Sequence, residues 1–298
     1  MEDLIYTVEL TQPKGSDFGA QLNEVFRFLS LLKANPTVKN VNIDLARIKF
    51  VYPLFILVIA SLSEYLKKSG LNLSIRSTSN INCAEYLDKI FFPGGIKPDK
   101  LSNWENMLNS YKGKSYLPII NFSSDRNAVQ SIIRERLISK INSLIKENLS
   151  LDNIYETAVS YLISEITDNI IEHSGQDRGW LMIQYYPSTV YLDICIIDTG
   201  KTILGSYKEH NVHEAENDSK ALEMALNGIS TKDLERGTGL RTSNAISSLG
   251  LQGDFSIFSG NALFYRNKIF SLPISWPGTF VAMRIKKGIK NFSIYTYV

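Results

Sequence analysis

The sequence predicts a two-domain α/β protein, with an N-terminal α/β domain over 1–105 and a second α/β sandwich over 106–298. Three observations carry that prediction. The chain has 298 residues, and domains commonly run to ~100–200 residues. Its first ninety residues alternate strand and helix patterns. A stretch with two prolines and a Gly-Gly pair, FFPGGIKPDKLSNW (91–104), then breaks the periodicity and marks the boundary.

LIYTVEL (4–10) reads as a strand. Gly19 to Ala34 places Leu22, Val25, Phe26, Leu29 and Leu32 at helical spacing. NVNIDLARI (40–48) alternates as a strand. Pro53 then suits the first turn of a helix that ends near Ser69-Gly70. LNLSIRS (71–77) is a strand and INCAEYLDKIFF (81–92) a short helix. The order β-α-β-α-β-α favours an α/β sandwich. Beyond the boundary, SYLPIINF (115–122) is a strand, followed by helices from about Asp125 to Asn148 and Leu151 to His173. WLMIQYY (180–186) and TVYLDICIID (189–198) form a hairpin around Pro187-Ser188. Nearly forty residues of loop and short helix come next, then a helix over GLRTSNAISSLG (239–250). DFSIFSG, ALFYRNK and GTFVAMRIK are three further strands. Helices on one face of a mixed sheet are expected.

Hydrophobic residues make up 44% and charged residues 21%, which excludes a disordered or collagenous chain. The formal net charge is +2, and residues 1–110 hold 12 basic against 11 acidic side chains. No basic domain for nucleic acid is indicated. Cys83 and Cys195 sit in apolar surroundings and cannot make a disulfide framework or a four-ligand zinc site. The N-terminus MEDLIYTVEL starts acidic and alternates, unlike a signal peptide. The longest apolar run, Phe50 to Leu62, is shorter than the ~20 residues of a membrane span. A cytoplasmic protein without membrane attachment is expected.

Three segments carry chemistry. In YLISEITDNIIEHS (161–174), Glu165, Asn169 and Glu172 follow one track beside an apolar stripe. A carboxylate and an amide beside a buried face need a polar partner, and Mg²⁺ with a phosphate chain is one. A solvated helix edge is the plainer alternative. CIIDTGKT (195–202) ends a buried strand on Asp198, which can accept an exocyclic amine or simply make a turn. ERGTGLRTSNAISSLG (235–250) opens a helix with Gly-x-Gly, where backbone N–H groups can face an anion. It is neither a Walker A motif nor a Rossmann fingerprint.

In this order and spacing the segments resemble the ATP-binding domain of the GHKL superfamily (Bergerat fold). That superfamily includes sensor histidine kinases, anti-sigma-factor serine kinases and type II topoisomerases. Glu165-x-x-x-Asn169 matches its N box, Asp198-x-Gly200 its first glycine box and Gly237-x-Gly239-Leu240 its second. Gly278-Thr279 matches a late threonine position, and the likeness spans about 115–287. The resemblance implies ATP and Mg²⁺ as cofactors and a protein partner, and a homodimer is compatible with it. Asn169 would hold the Mg²⁺, Glu165 would activate a water or nucleophile, and Asp198 would bind the adenine amine. Gly200 would let the backbone approach the base. Gly237, Thr238, Gly239 and Leu240 would wrap the phosphates, and Thr279 would sit near adenine. Residues 201–236 would be a mobile lid, with Lys201, Lys232 and Arg236 as phosphate neighbours or plain surface charges. Thr202 replaces the usual second glycine of the first glycine box.

The three histidines, His173, His210 and His213, all lie at or beyond the N box, which disfavours histidine-kinase-type autophosphorylation. A His210-x-x-His213 metal pair is conceivable beside a solvated loop. The N-terminal half resembles a STAS-like domain, the fold of anti-sigma-factor antagonists. Where that family often bears a phosphorylatable Ser, this chain has Phe50-Val51-Tyr52-Pro53. The combined expectation is an ATP/Mg²⁺-binding regulator, either a nucleotide switch or a serine/threonine protein kinase. The alternative is a non-catalytic interaction module with a degenerate pocket.

Overall fold

Three five-residue strands, each followed by a helix, build the first part of the chain. In this computed structural model, residues 5–35, 38–99, 103–175, 178–229, 238–289 and 292–297 are described. β1 (Ile5–Glu9), β2 (Asn40–Asp44) and β3 (Asn72–Arg76) form a parallel sheet in that order, with Val8 opposite Ile43 and Ile43 opposite Ile75. Helix α1 (Phe18–Lys33) starts where Asp17 accepts the Ala20 amide at 3.1 Å. Helix α2 (Pro53–Lys68) has Pro53 in its first turn and carries the apolar run, buried from Leu54 to Ser63. Helix α3 (Ile81–Lys89) is capped by Asn80, which accepts the Cys83 amide at 2.9 Å.

The chain divides into two units, Met1–Gly95 and Ile96–Val298. Ile96 donates its amide to Ile119 and accepts that of Asn121, each at 2.8 Å. Residues from Ile96 onward therefore belong with the second unit, ten residues ahead of the position read from sequence. A short helix α4 (Trp104–Asn109), which the sequence patterns did not indicate, buries Trp104 and Leu108 in the second unit's core.

The second unit continues with β4 (Tyr116–Ser123), α5 (Ala128–Leu149), α6 (Asn153–His173), β5 (Arg178–Tyr186) and β6 (Tyr191–Asp198). It goes on through α7 (Ile203–Glu209), α8 (Asp218–Leu226), α9 (Gly239–Asn244), β7 (Asp254–Tyr265) and β8 (Lys268–Lys286). The sheet order is β4-β5-β6-β8-β7. Every neighbouring pair is antiparallel, so the expected mixed sheet is corrected; the one parallel element among the described residues of this unit is the isolated bridge between Ile96 and Ile120. The apolar stripes of α5 (Ile133, Leu137, Ile141) and α6 (Leu162, Ile166, Ile170) share one core with Leu181, Ile183, Ile194, Ile196 and Val281 of the sheet. Successive strand side chains point to opposite faces, so these alternate residues mark the helix-covered face.

Two of the last three expected strands merge into longer ones. ALFYRNK is the far end of β7, a tight turn at Arg266-Asn267 with both φ positive, and the first residue of β8. β8 runs through Pro273 and Pro277. Its register against β7 shifts between Ser259, Gly260 and Ala262, and such irregularities admit proline. The helix read over 239–250 is α9 followed by a π turn (Ala245–Gly250), in which the Leu251 amide reaches back to the Ile246 carbonyl at 2.8 Å.

Candidate functional site

α6 brings its polar track to the edge of the helix–sheet core. Asp152 starts that helix by accepting the amides of Ile154 and Tyr155 at 3.0 and 2.9 Å. Its buried stripe against the sheet leaves Glu165 and Asn169, one turn apart, at the border of the core. β6 delivers Asp198 to the same place from the sheet, at the end of a run buried from Leu192 onward.

Between them lies a pocket that opens to solvent. Its apolar walls are Ile166 and Ile170 of α6, Ile196 of β6, Val281 of β8 and Ile203 of α7. Asn169, Asp198, Thr279, Gly239 and Leu240 line it, so each of the four matched motifs contributes to one cavity. An apolar cavity with a few convergent polar groups is the usual form of a small-molecule site.

Asp198 is strongly altered by its surroundings. It is 3% exposed, and burial pushes its carboxyl up to about 7, against the backbone amides of Gly200 and Thr279, which hold it down. Oδ1 accepts the Gly200 N–H at 2.8 Å, and the Asp198 carbonyl accepts the Trp276 indole N–H at 2.8 Å. Gly278 closes this corner because nothing larger fits: a Cβ there would lie 2.4 Å from Asp198 Oδ1 and 2.5 Å from the Gly200 nitrogen. Gly200 therefore acts through its amide on Asp198 and is not part of the pocket wall.

Glu165 does not line the pocket either. Its carboxylate lies over the start of α9, where a Cβ on Gly239 would come within 1.9 Å of Oε2. Glu165 also bears on Tyr161, whose phenol is raised by burial first and by that carboxylate second. The glycine at 239 thus makes room for a carboxylate in this structure. Thr238 is exposed just before α9 and makes no side-chain cap. Gly237, Lys232 and Arg236 lie outside the described residues.

The expected lid is more structured than its composition suggests. Thr202, the departure from the glycine-box pattern, is the N-cap of α7 and accepts the Gly205 amide at 3.0 Å. Asn217 caps α8 in the same way. Tyr207, Ala215, Ala221, Met224 and Ala225 form a small core between them, so the described part of the expected lid over 201–236 has a buried core of its own. Lys201 lines the pocket and donates to both carboxylate oxygens of Glu209 at 2.7 Å, and its ammonium holds the Glu209 carboxyl below the usual range.

Sequence reasoning missed three contributors. Ser206 of α7 and His173 of α6 both line the pocket, with Ser206 Oγ 3.2 Å from His173 Nδ1. The His173 and His210 ring centres are 6.4 Å apart, and His210 Nδ1 lies 2.9 Å from the Ser206 carbonyl. Ser259 of β7 is the third and accepts the Ile203 amide at 2.9 Å. The i+4 spacing of His173 from Asn169 was a usable signal. Ser206 and Ser259 had none, because only the tertiary fold brings them to the site. Among the described residues no group of three or more His, Cys, Asp or Glu side chains could hold a metal ion. Both cysteines are buried free thiols, and no described helix is long and apolar enough to cross a membrane.

Comparison of the chain with family models, with curated proteins and with solved structures gives no match.

Proposed function

We propose that this pocket binds an adenine nucleotide with Mg²⁺, and that the protein is a nucleotide-dependent regulator acting on a protein partner. In this reading it is a switch or a serine/threonine protein kinase. One observation carries the reading: the buried Asp198 carboxylate and the Asn169 amide line one apolar cavity together with Thr279 and the Gly239 helix start. A flat apolar base suits the isoleucine walls, and a carboxylate is the acceptor that an exocyclic amine needs. The Asn169 oxygen, which lines the cavity, suits Mg²⁺, which takes oxygen ligands and keeps waters and phosphate oxygens in its shell. When bound, that ion would neutralise phosphate charge. The chain's own part is to hold the base, orient the nucleotide and exclude water from the apolar end.

A titration with ATP, ADP and GTP, with and without Mg²⁺, followed by a γ-phosphate transfer assay, tests this. ATP and ADP should bind and GTP should bind poorly. Asp198→Ala should weaken ATP at least about tenfold, since a hydrogen bond to a charged group contributes ~1.5–3 kcal/mol. Equal affinity for ATP and GTP sinks the assignment. A second reading, nucleotide binding without turnover, is favoured by one feature: Glu165 packs on Gly239 and does not line the cavity. Glu165→Gln separates the two. It should lower turnover by ~10²–10⁴ if the carboxylate acts as a base, and change nothing if the site only binds.

A further inference from the structure

The Ser259 hydroxyl sits in none of the sequence motifs, yet it joins three parts of the site. It accepts the amide of Ile203, the first residue of α7, at 2.9 Å. It lies 3.1 Å from the Gly278 carbonyl oxygen and 2.9 Å from Thr279 Oγ1. A hydroxyl has one proton and two lone pairs. A carbonyl oxygen only accepts, so all three contacts are hydrogen bonds only in the arrangement where the Ser259 proton goes to Gly278. The Ile203 N–H takes one lone pair, and the other receives the Thr279 proton. Thr279 therefore donates inward, and what its oxygen offers the pocket is lone pairs. Its backbone N–H is also committed, to the Asp198 carboxyl. When its carboxyl is ionised, Asp198 presents acceptors together with Thr279 to whatever occupies this end of the cavity.

We infer that Ser259 is a positioning residue that sets which edge of a heterocycle the pocket reads. By holding the Thr279 hydroxyl as an acceptor beside the Asp198 carboxylate, it selects a ring that presents an amino group and rejects one that presents a carbonyl there. This inference rests on the nucleotide reading above. A hydroxyl that served only to anchor α7 would also matter for binding, but it would affect every nucleotide alike.

ATP and inosine triphosphate distinguish these roles, because inosine carries a carbonyl where adenine carries the amine. The full chain should bind ATP more tightly. In Ser259→Ala the Thr279 hydroxyl is free to turn and donate, so the preference for ATP should fall about fivefold, the scale of one neutral hydrogen bond. Ser259→Thr keeps the hydroxyl and should keep the preference. Ser259→Cys, close in size and a weak acceptor, should lose it, and provides the reading if Ser259→Ala fails to fold in a thermal melt. If the wild type prefers ATP and the ratio is unchanged in Ser259→Ala and Ser259→Cys, the role of Ser259 is refuted while the nucleotide reading stands. If the wild type binds neither nucleotide, both are refuted.

Discussion

Asp198 carries a stability cost that its place in the site explains. Its carboxyl is raised to about 7 by burial, against an ordinary value near 4. Between those values the folded state holds a proton that the unfolded chain has released. Stability from this group therefore falls as pH rises from about 4 to about 7, and does not fall further above that. Asp198→Asn keeps the shape and the acceptor for Gly200 but removes the charge. We expect it to raise the melting temperature by several degrees at pH 8, a gain of ~1–2 kcal/mol, with the gain shrinking toward pH 5. A melting series from pH 5 to 8 checks this, and a pH-independent difference would assign the effect to something other than the carboxylate. Much of this residue's importance is legible in sequence, since a buried apolar run stops on an acid followed by Thr-Gly. The raised carboxyl is not, because burial comes from the tertiary fold, which brings Gly278 against it from some eighty residues away.

At the scale of elements, α7 shows how a departure from a motif can be a local structural choice. Where the resemblance expects glycine, Thr202 supplies the cap of a seven-residue helix. Thr202→Ala should destabilise the protein by ~1 kcal/mol and Thr202→Gly by only a few tenths. Urea unfolding of the two variants measures the order; equal losses would mean that the hydroxyl does not act as a cap. The cap was legible in hindsight, as Thr followed three residues later by Gly205. The rest of the lid was not. Tyr207 and Met224 are too far apart in sequence for periodicity to show that they share a core. The first half of β8 was missed for a related reason, whereas GTFVAMRIK was read as a strand. Proline reads as a breaker in sequence, whereas its cost in a sheet depends on whether the partner's register calls for that amide.

At the scale of the molecule, the unit boundary has a measurable edge. A fragment beginning at Ile96 keeps the pairing with Ile119 and Asn121 and the buried Trp104, whereas one beginning at Asn106 lacks both. The shorter fragment should melt several degrees lower, because loss of a large buried aromatic costs ~3–5 kcal/mol. Equal melting would place 96–105 outside the cooperative unit. The register of the sheet sets the order of events in folding. Ile197 pairs with Phe280, so α7, α8, α9 and β7 all lie within the loop that this pairing closes. Closing so long a loop is slow compared with forming local hairpins. The pocket draws walls from α6, β6, α7, α9 and β8, so it comes into being only after that closure. A ligand of the pocket should therefore slow unfolding and leave the refolding rate unchanged, because it finds no site in the transition state. Stopped-flow kinetics with and without nucleotide would show this, and a ligand that hastened refolding would mean that the site forms before the sheet is joined.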